Sequence, residues 1–241
     1  MDDALRLQAL EILDSAPCSI EMPAGTGKTH LLAAVAAIAG EKGCRSLILT
    51  HTNAGVDAIR TRLKAFGVPS DSTRVDTITG WAFTLSLSYA SIAGLTIPEV
   101  PDWTRSREYV DAASRVAAAN AIVRVHELSF SYLLVDEYQD CATSQHALVK
   151  ALSKAIYRTV LFGDRLQAIF RFNDHDPLVD WDQDVLPTFP AHGVTVLPHR
   201  WKGHNEELGA WMLEIREQLM SESGFNALDH QVNGLKFVSN S

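Results

Sequence analysis

The sequence predicts an α/β fold, a mainly parallel sheet flanked by helices with a small helical insertion. Three observations predict it. Short apolar runs rich in β-branched residues alternate with longer stretches of helical spacing. A glycine-rich turn joins the first apolar run to an Ala/Leu-rich segment. The run Leu133-Leu134-Val135 ends in the adjacent carboxylates Asp136 and Glu137. Strands that are apolar nearly throughout and separated by helices belong in a parallel sheet covered on both faces.

In chain order, strands are predicted at residues 19–22, 46–50, 74–78, 132–136, 159–163 and 194–197. Helices are predicted at 29–39, 54–66, 105–126, 144–156 and 206–220. The second of these carries Val56, Ile59, Leu63 and Phe66 at helical spacing. Gly67-Val68-Pro69-Ser70-Asp71-Ser72 and Ile97-Pro98-Glu99-Val100-Pro101 read as loops. Residues 173–190 read as mostly loop, with Asp174, Asp176, Asp180, Asp182 and Asp184 solvated.

The 241 residues are 46% hydrophobic, enough for a real core. Lys plus Arg is 21 and Asp plus Glu is 29, a formal net charge of -8. That balance argues against a protein that coats nucleic acid, yet it permits a local basic groove. The three cysteines, Cys18, Cys44 and Cys141, are odd in number and lack metal-knuckle spacing, which suits a reducing cytoplasm. The longest small-apolar run, residues 31–39, is too short to span a bilayer, so no membrane partner is expected.

Pro23-Ala24-Gly25-Thr26-Gly27-Lys28-Thr29 is a Walker A sequence between a strand and a helix. Its glycines let backbone N–H groups turn toward phosphate oxygens, and the following helix points its positive end at the same anion. Ala24, Gly25, Thr26 and Gly27 would cradle the phosphates of ATP. Lys28 would reach the β- and γ-phosphates, and the Thr29 hydroxyl would bind Mg²⁺. The first glycine of the common pattern is replaced by Met22. Asp136, at its strand's end, would hold the Mg²⁺ hydration shell, and Glu137 would orient and deprotonate the attacking water.

Asp136-Glu137-Tyr138-Gln139-Asp140 resembles the Asp-Glu-x-Gln-Asp box of UvrD/Rep-type superfamily 1 helicases. Further stretches match in that family's order. Gln8 resembles the upstream glutamine that reads adenine. Thr50-His51-Thr52-Asn53 resembles motif Ia, which contacts single-stranded DNA, with His51 in place of the usual Phe. Thr77-Ile78-Thr79-Gly80-Trp81 resembles the next DNA-contacting motif. Gly163-Asp164-Arg165-Leu166-Gln167-Ala168-Ile169-Phe170 resembles motif III, whose Gln couples the γ-phosphate to DNA and whose aromatic stacks on a base. Leu197-Pro198-His199-Arg200 resembles motif IV, whose Arg contacts the γ-phosphate; His199 takes the position of the aromatic that packs on adenine. The resemblance implies a RecA-like P-loop NTPase fold, Mg-ATP as cofactor and single-stranded DNA as partner. It places Thr52, Asn53, Trp81 and Phe170 on the DNA side. Stacking on such aromatics is sequence-tolerant, and Phe172 could also supply it.

Residues 1–200 are expected to form the RecA-like domain, with a reduced helical insertion at approximately 82–130, and 201–241 a helical extension. Family members carry a second RecA-like domain, and nothing after Trp201 resembles its motifs. That second domain or a partner protein is therefore expected to complete the ATP site. Three function classes follow: a DNA-dependent ATPase motor, a nucleotide-binding regulatory subunit that gates a partner such as a nuclease, and a P-loop kinase or unrelated P-loop ATPase. The Gln-Asp tail and the motif III-like glutamine argue against the third. Repair of DNA and defence against phage are settings in which such pairings occur.

Overall fold

The computed structural model describes residues 1–168, 175–196 and 199–220. Five strands, β1 (Cys18–Glu21), β2 (Ser46–Thr50), β3 (Thr73–Thr77), β4 (Tyr132–Val135) and β5 (Arg158–Gly163), form one sheet in the order β1-β5-β4-β2-β3. Every pairing is parallel. Side chains alternate across it with period two. Leu47, Leu49, Leu133, Val135 and Leu161 enter one core, while Ile20, Ile48, Leu134, Val160 and Phe162 enter the other.

Helices α1 (Asp3–Ser15), α2 (Lys28–Glu41) and α3 (Asn53–Ala65) cover the second face. From Leu31 to Ala39 every residue of α2 is buried, so this helix is apolar all round and lies inside the layer. The other face is covered by α4 (Ile78–Ser88), the short α5 (Ala90–Ala93), α6 (Ser106–Ala118), α7 (Asn120–Ser129) and α8 (Thr143–Ala155). α4 to α7 fill the span between β3 and β4, where the helical insertion was expected. The last described helix is α9 (Glu206–Met220).

Several expectations need correction. The helix expected over 105–126 is two helices, because Ala119 is extended at φ -71 and ψ 131. α1 was not foreseen. Asp2 caps it by accepting a hydrogen bond from the Leu5 N–H at 2.8 Å, and Ala9, Ile12 and Leu13 are its buried face. α4 also went unforeseen, because its polar residues are Thr and Ser. Residues 194–196, the described part of the expected sixth strand, form no strand. The edge of β1 is met instead by residues 190–192: Ser19 N–H donates to Pro190 O, and His192 N–H donates to Ser19 O.

Of the aspartates after β5, Asp176, Asp180, Asp182 and Asp184 are engaged rather than simply solvated. Asp176 accepts from Ser144 N–H at 3.1 Å and from the Thr143 and Ser144 hydroxyls at 2.9 and 2.6 Å. It thereby caps α8, whose own N-cap, Ala142, has no side-chain oxygen. Asp180 caps a single π-helical turn, Trp181–Val185, and Asp182 pairs with Arg165. Phe170, Phe172, Asp174, Leu197, Pro198 and residues 221–241 lie outside the described residues.

Candidate nucleotide site

The C-terminal ends of β1, β5 and β4 lie side by side, and the loop after β1 is tied to that edge. Met22 N–H donates to Gly163 O at 2.9 Å, and the Thr26 hydroxyl donates to Pro23 O at 2.6 Å. Gly25 sits at φ +76, where a side chain is strained, and an added Cβ would stand 2.8 Å from Arg200 Cβ. α2 begins directly after Gly27, and no side chain caps its free N–H groups. Such an uncapped end attracts anions.

Two side-chain bonds close the site. Lys28 Nζ donates to Glu137 Oε2 at 2.6 Å, and the Thr29 hydroxyl donates to Asp136 Oδ2 at 3.1 Å. Asp136 is 3% exposed. Burial, with the neighbouring Glu137 charge, pushes its carboxyl up to about 6, against the pull of Lys28 and the Thr29 hydrogen bond. Burial pushes the Glu137 carboxyl up as well. There the Lys28 charge and the hydrogen bonds from Lys28 and Gln139 prevail and hold it below the usual range.

Glu137 is the one non-glycine residue with positive φ among the described residues, at 53°. Such a conformation persists where the surroundings over-determine it, and it often marks function. Gln139 helps to fix its carboxylate. Its Nε2 donates to Glu137 Oε2 at 2.9 Å, and its Oε1 accepts from Asp164 N–H at 3.0 Å. This latch joins the ends of β4 and β5. Gln139 was visible in the sequence only as part of a motif, with no role attached.

A cavity of about 490 Å³ opens here, lined by Gly25, Lys28, Thr29, Glu137, Gln167 and Arg200 among others. A second hollow of about 440 Å³ shares Gly27 and His30 with it and is lined by Gln8, Met22, Thr26 and Thr195. Gln8 Nε2 donates to Thr195 O at 3.2 Å. Together the hollows run from Arg200 and Lys28 to Gln8. Arg200 N–H donates to Gly25 O at 2.9 Å, which sets this arginine against the phosphate loop. His199 opens the 3-10 turn His199–Trp201 beside it.

The donor set fits a hard divalent cation. Thr29 Oγ1 and Asp136 Oδ2 lie within one ion's reach, and a dication would neutralise the buried Asp136 carboxylate. Among the described residues no three His, Cys, Asp or Glu side chains gather elsewhere as a metal site.

The expected DNA-side residues are placed differently. The Thr52 hydroxyl accepts from Gly55 N–H at 3.0 Å and caps α3, and Asn53 is exposed at the head of that helix. Trp81 is half-buried. Its ring meets His126 and Phe130 edge-on, each at 6.0 Å between centroids. It packs the insertion through α7 and the segment before β4. His51 touches Cys141 Sγ at 3.3 Å. Burial pushes His51 down to about 4, opposed by the Glu137 charge.

The family described as AAA domain matches residues 6–173. The ATP-dependent DNA helicase Rep of Escherichia coli (strain K12) is 37% identical over 105 residues, covering 40% of this chain and 15% of that protein. Rep of Salmonella typhimurium gives the same identity and coverage. The chain thus spans a small part of the length of these relatives. A crystal structure of Pif1 helicase from Candida albicans superposes over 78% of this chain and 35% of that one, at 12% identity and a TM-score of 0.39. No helix among the described residues is long and apolar enough to cross a membrane.

Proposed function

This chain belongs to the AAA domain family, and on that premise we propose that it is the ATP-hydrolysing motor domain of a UvrD/Rep-type DNA helicase or translocase. The observation that carries the reading is the convergence of Lys28 on Glu137 and of Thr29 on Asp136 at one strand edge.

ATP would lie with its phosphates on the Ala24–Thr29 loop and its base in the hollow beside Gln8 and His199. Mg²⁺, held by Thr29 and Asp136, would neutralise charge on the phosphate oxygens. Lys28 would exchange its bond to Glu137 for the β- and γ-phosphates. The freed Glu137 carboxylate, kept in place by Gln139, would accept a proton from the attacking water. Arg200 would meet charge developing on the γ-phosphate, and Gln167 would stand between nucleotide and DNA. Single-stranded DNA would cross the strand ends near Thr52 and Asn53, with Phe170 as its base-stacking aromatic. We assign residues 1–200 to this domain and 201–241 to a helical extension. A second RecA-like domain or a partner protein would complete the site.

ATP turnover with and without single-stranded DNA, with Lys28→Ala as the blank, tests the reading. Turnover that DNA stimulates supports the motor. ATP binding that tightens association with a partner protein, with negligible DNA affinity, would replace it with the regulatory reading.

A further inference from the structure

Arg216, in the third turn of α9, is outside every motif that pointed to the nucleotide site. Its side chain is 14% exposed and lies between two carboxylates. One arm bonds Asp164 Oδ1 at 2.6 Å, and the other bonds Glu21 Oε1. The second oxygen of Glu21 accepts from Arg165 Nε at 2.8 Å.

Both carboxylates mark strand ends of the nucleotide site. Glu21 is the last residue of β1, two positions before Pro23 opens the phosphate loop. Asp164 follows β5, and its N–H holds the Gln139 latch that fixes Glu137. One guanidinium thus ties the phosphate-loop strand to the strand end that steadies Glu137. Lys would do this less well, because its point charge lacks the planar fork that is pre-organised to engage two carboxylates at once.

The turn that carries Arg200 leads into α9. The turn His199–Trp201 is pressed against the start of the helix, where a Cβ on Gly209 would stand 2.7 Å from Trp201 Cβ. Asn205 caps the helix through Leu208 N–H at 3.1 Å, and Gly203 N–H donates to Glu206 Oε1 at 3.1 Å. Turn and helix therefore form one packed unit with two anchors on the site. One is Arg200 N–H on Gly25 O, and the other is Arg216 on Glu21 and Asp164.

We propose that Arg216 is a positioning residue that fixes α9 across the ends of β1 and β5 and so holds Arg200 over the γ-phosphate position. This rests on the reading of Arg200 given above. The consequence is discrimination between ATP and ADP, because only ATP presents the γ-phosphate.

The test is equilibrium binding of fluorescent ATP and ADP analogues with Mg²⁺, read as the ratio of their affinities. Arg216→Met keeps the aliphatic stem and removes the fork. It is expected to lower the ATP preference by roughly tenfold, the scale of one lost charge-assisted bond, with ADP affinity kept. Arg200→Ala should do the same, and the double variant should fall no further. Glu21→Gln should move the ratio in the same direction, which guards against a folding defect specific to Arg216→Met. Arg216→Lys should rescue only in part. If Arg200→Ala lowers the ratio and neither Arg216→Met nor Glu21→Gln does, the proposal is overturned while the Arg200 reading stands. If Arg200→Ala leaves the ratio unchanged, both fall. Equal loss of ATP and ADP binding in Arg216→Met and Glu21→Gln would make the clamp purely structural and overturn the proposal.

Discussion

The strand ends of β1, β4 and β5 and those of β2 and β3 lie on one edge of one sheet, yet they are built differently. At the first group, side chains bond across elements: Lys28 to Glu137, Gln139 to Asp164, Arg216 to Glu21 and Asp164. At the second group the side-chain hydrogen bonds of Thr52 and Thr77 stay within one turn. Thr52 caps its own helix, Thr77 accepts from Gly80 N–H, and Trp81 packs into the insertion. A site that must place charge to within a fraction of an ångström needs supports from several elements. On the proposed reading, the second group is a track for a flexible polyanion, which needs exposed groups on well-capped helices.

The sharpest break between the two groups should come from chemistry at the first. Lys28→Ala should abolish measurable ATP binding. Glu137→Gln should retain ATP binding and lower hydrolysis by ~10²–10⁴-fold; hydrolysis at the wild-type rate would remove Glu137 from the mechanism. Next comes packing. An alanine Cβ at Gly163 would stand 2.6 Å from the Trp181 ring. Gly163→Ala should therefore destabilise the fold by about 1–3 kcal/mol, read by denaturant unfolding. At the second group the effect should be smaller and local. Thr52→Ala should cost about 1 kcal/mol through the lost cap, while Thr52→Ser should keep the stability. If Thr52→Ser weakens DNA binding at unchanged stability, the track is more specific than a set of caps.

A separate effect is expected on pH. Burial lowers the pKa of His126 and His146 and pushes His51 down to about 4. The folded protein keeps these rings neutral, whereas the unfolded chain takes up protons near pH ~6.5. Stability should hold above that pH and decline as pH falls from there toward the folded values. The melting temperature of His51→Phe should decline less over this window than that of the wild type.

The central strands β2, β4 and β5 were legible because they are buried on both faces and apolar nearly throughout, as in the run Tyr132-Leu133-Leu134-Val135. The glycine-rich turn and the adjacent carboxylates were legible because a phosphate-loop pattern fixes both residue type and spacing. The break at Ala119 was not, since alanine favours helix. The segment 194–197 carries strand-like residues, yet the hydrogen bonds of the β1 edge go to residues 190–192. Trp81 shows how an aromatic in a motif-like position can be claimed by neighbours distant in sequence. Arg216 left no trace, because a lone arginine in an amphipathic helix looks like any solvated one.

The most direct test of the account is ATP affinity in the presence of Mg²⁺, titrated with single-stranded DNA. Binding sites that are coupled must strengthen or weaken each other reciprocally. The account predicts saturable ATP binding that is lost in Lys28→Ala and tightened by DNA. ATP affinity that does not respond to DNA, or binding that survives in Lys28→Ala, would contradict it.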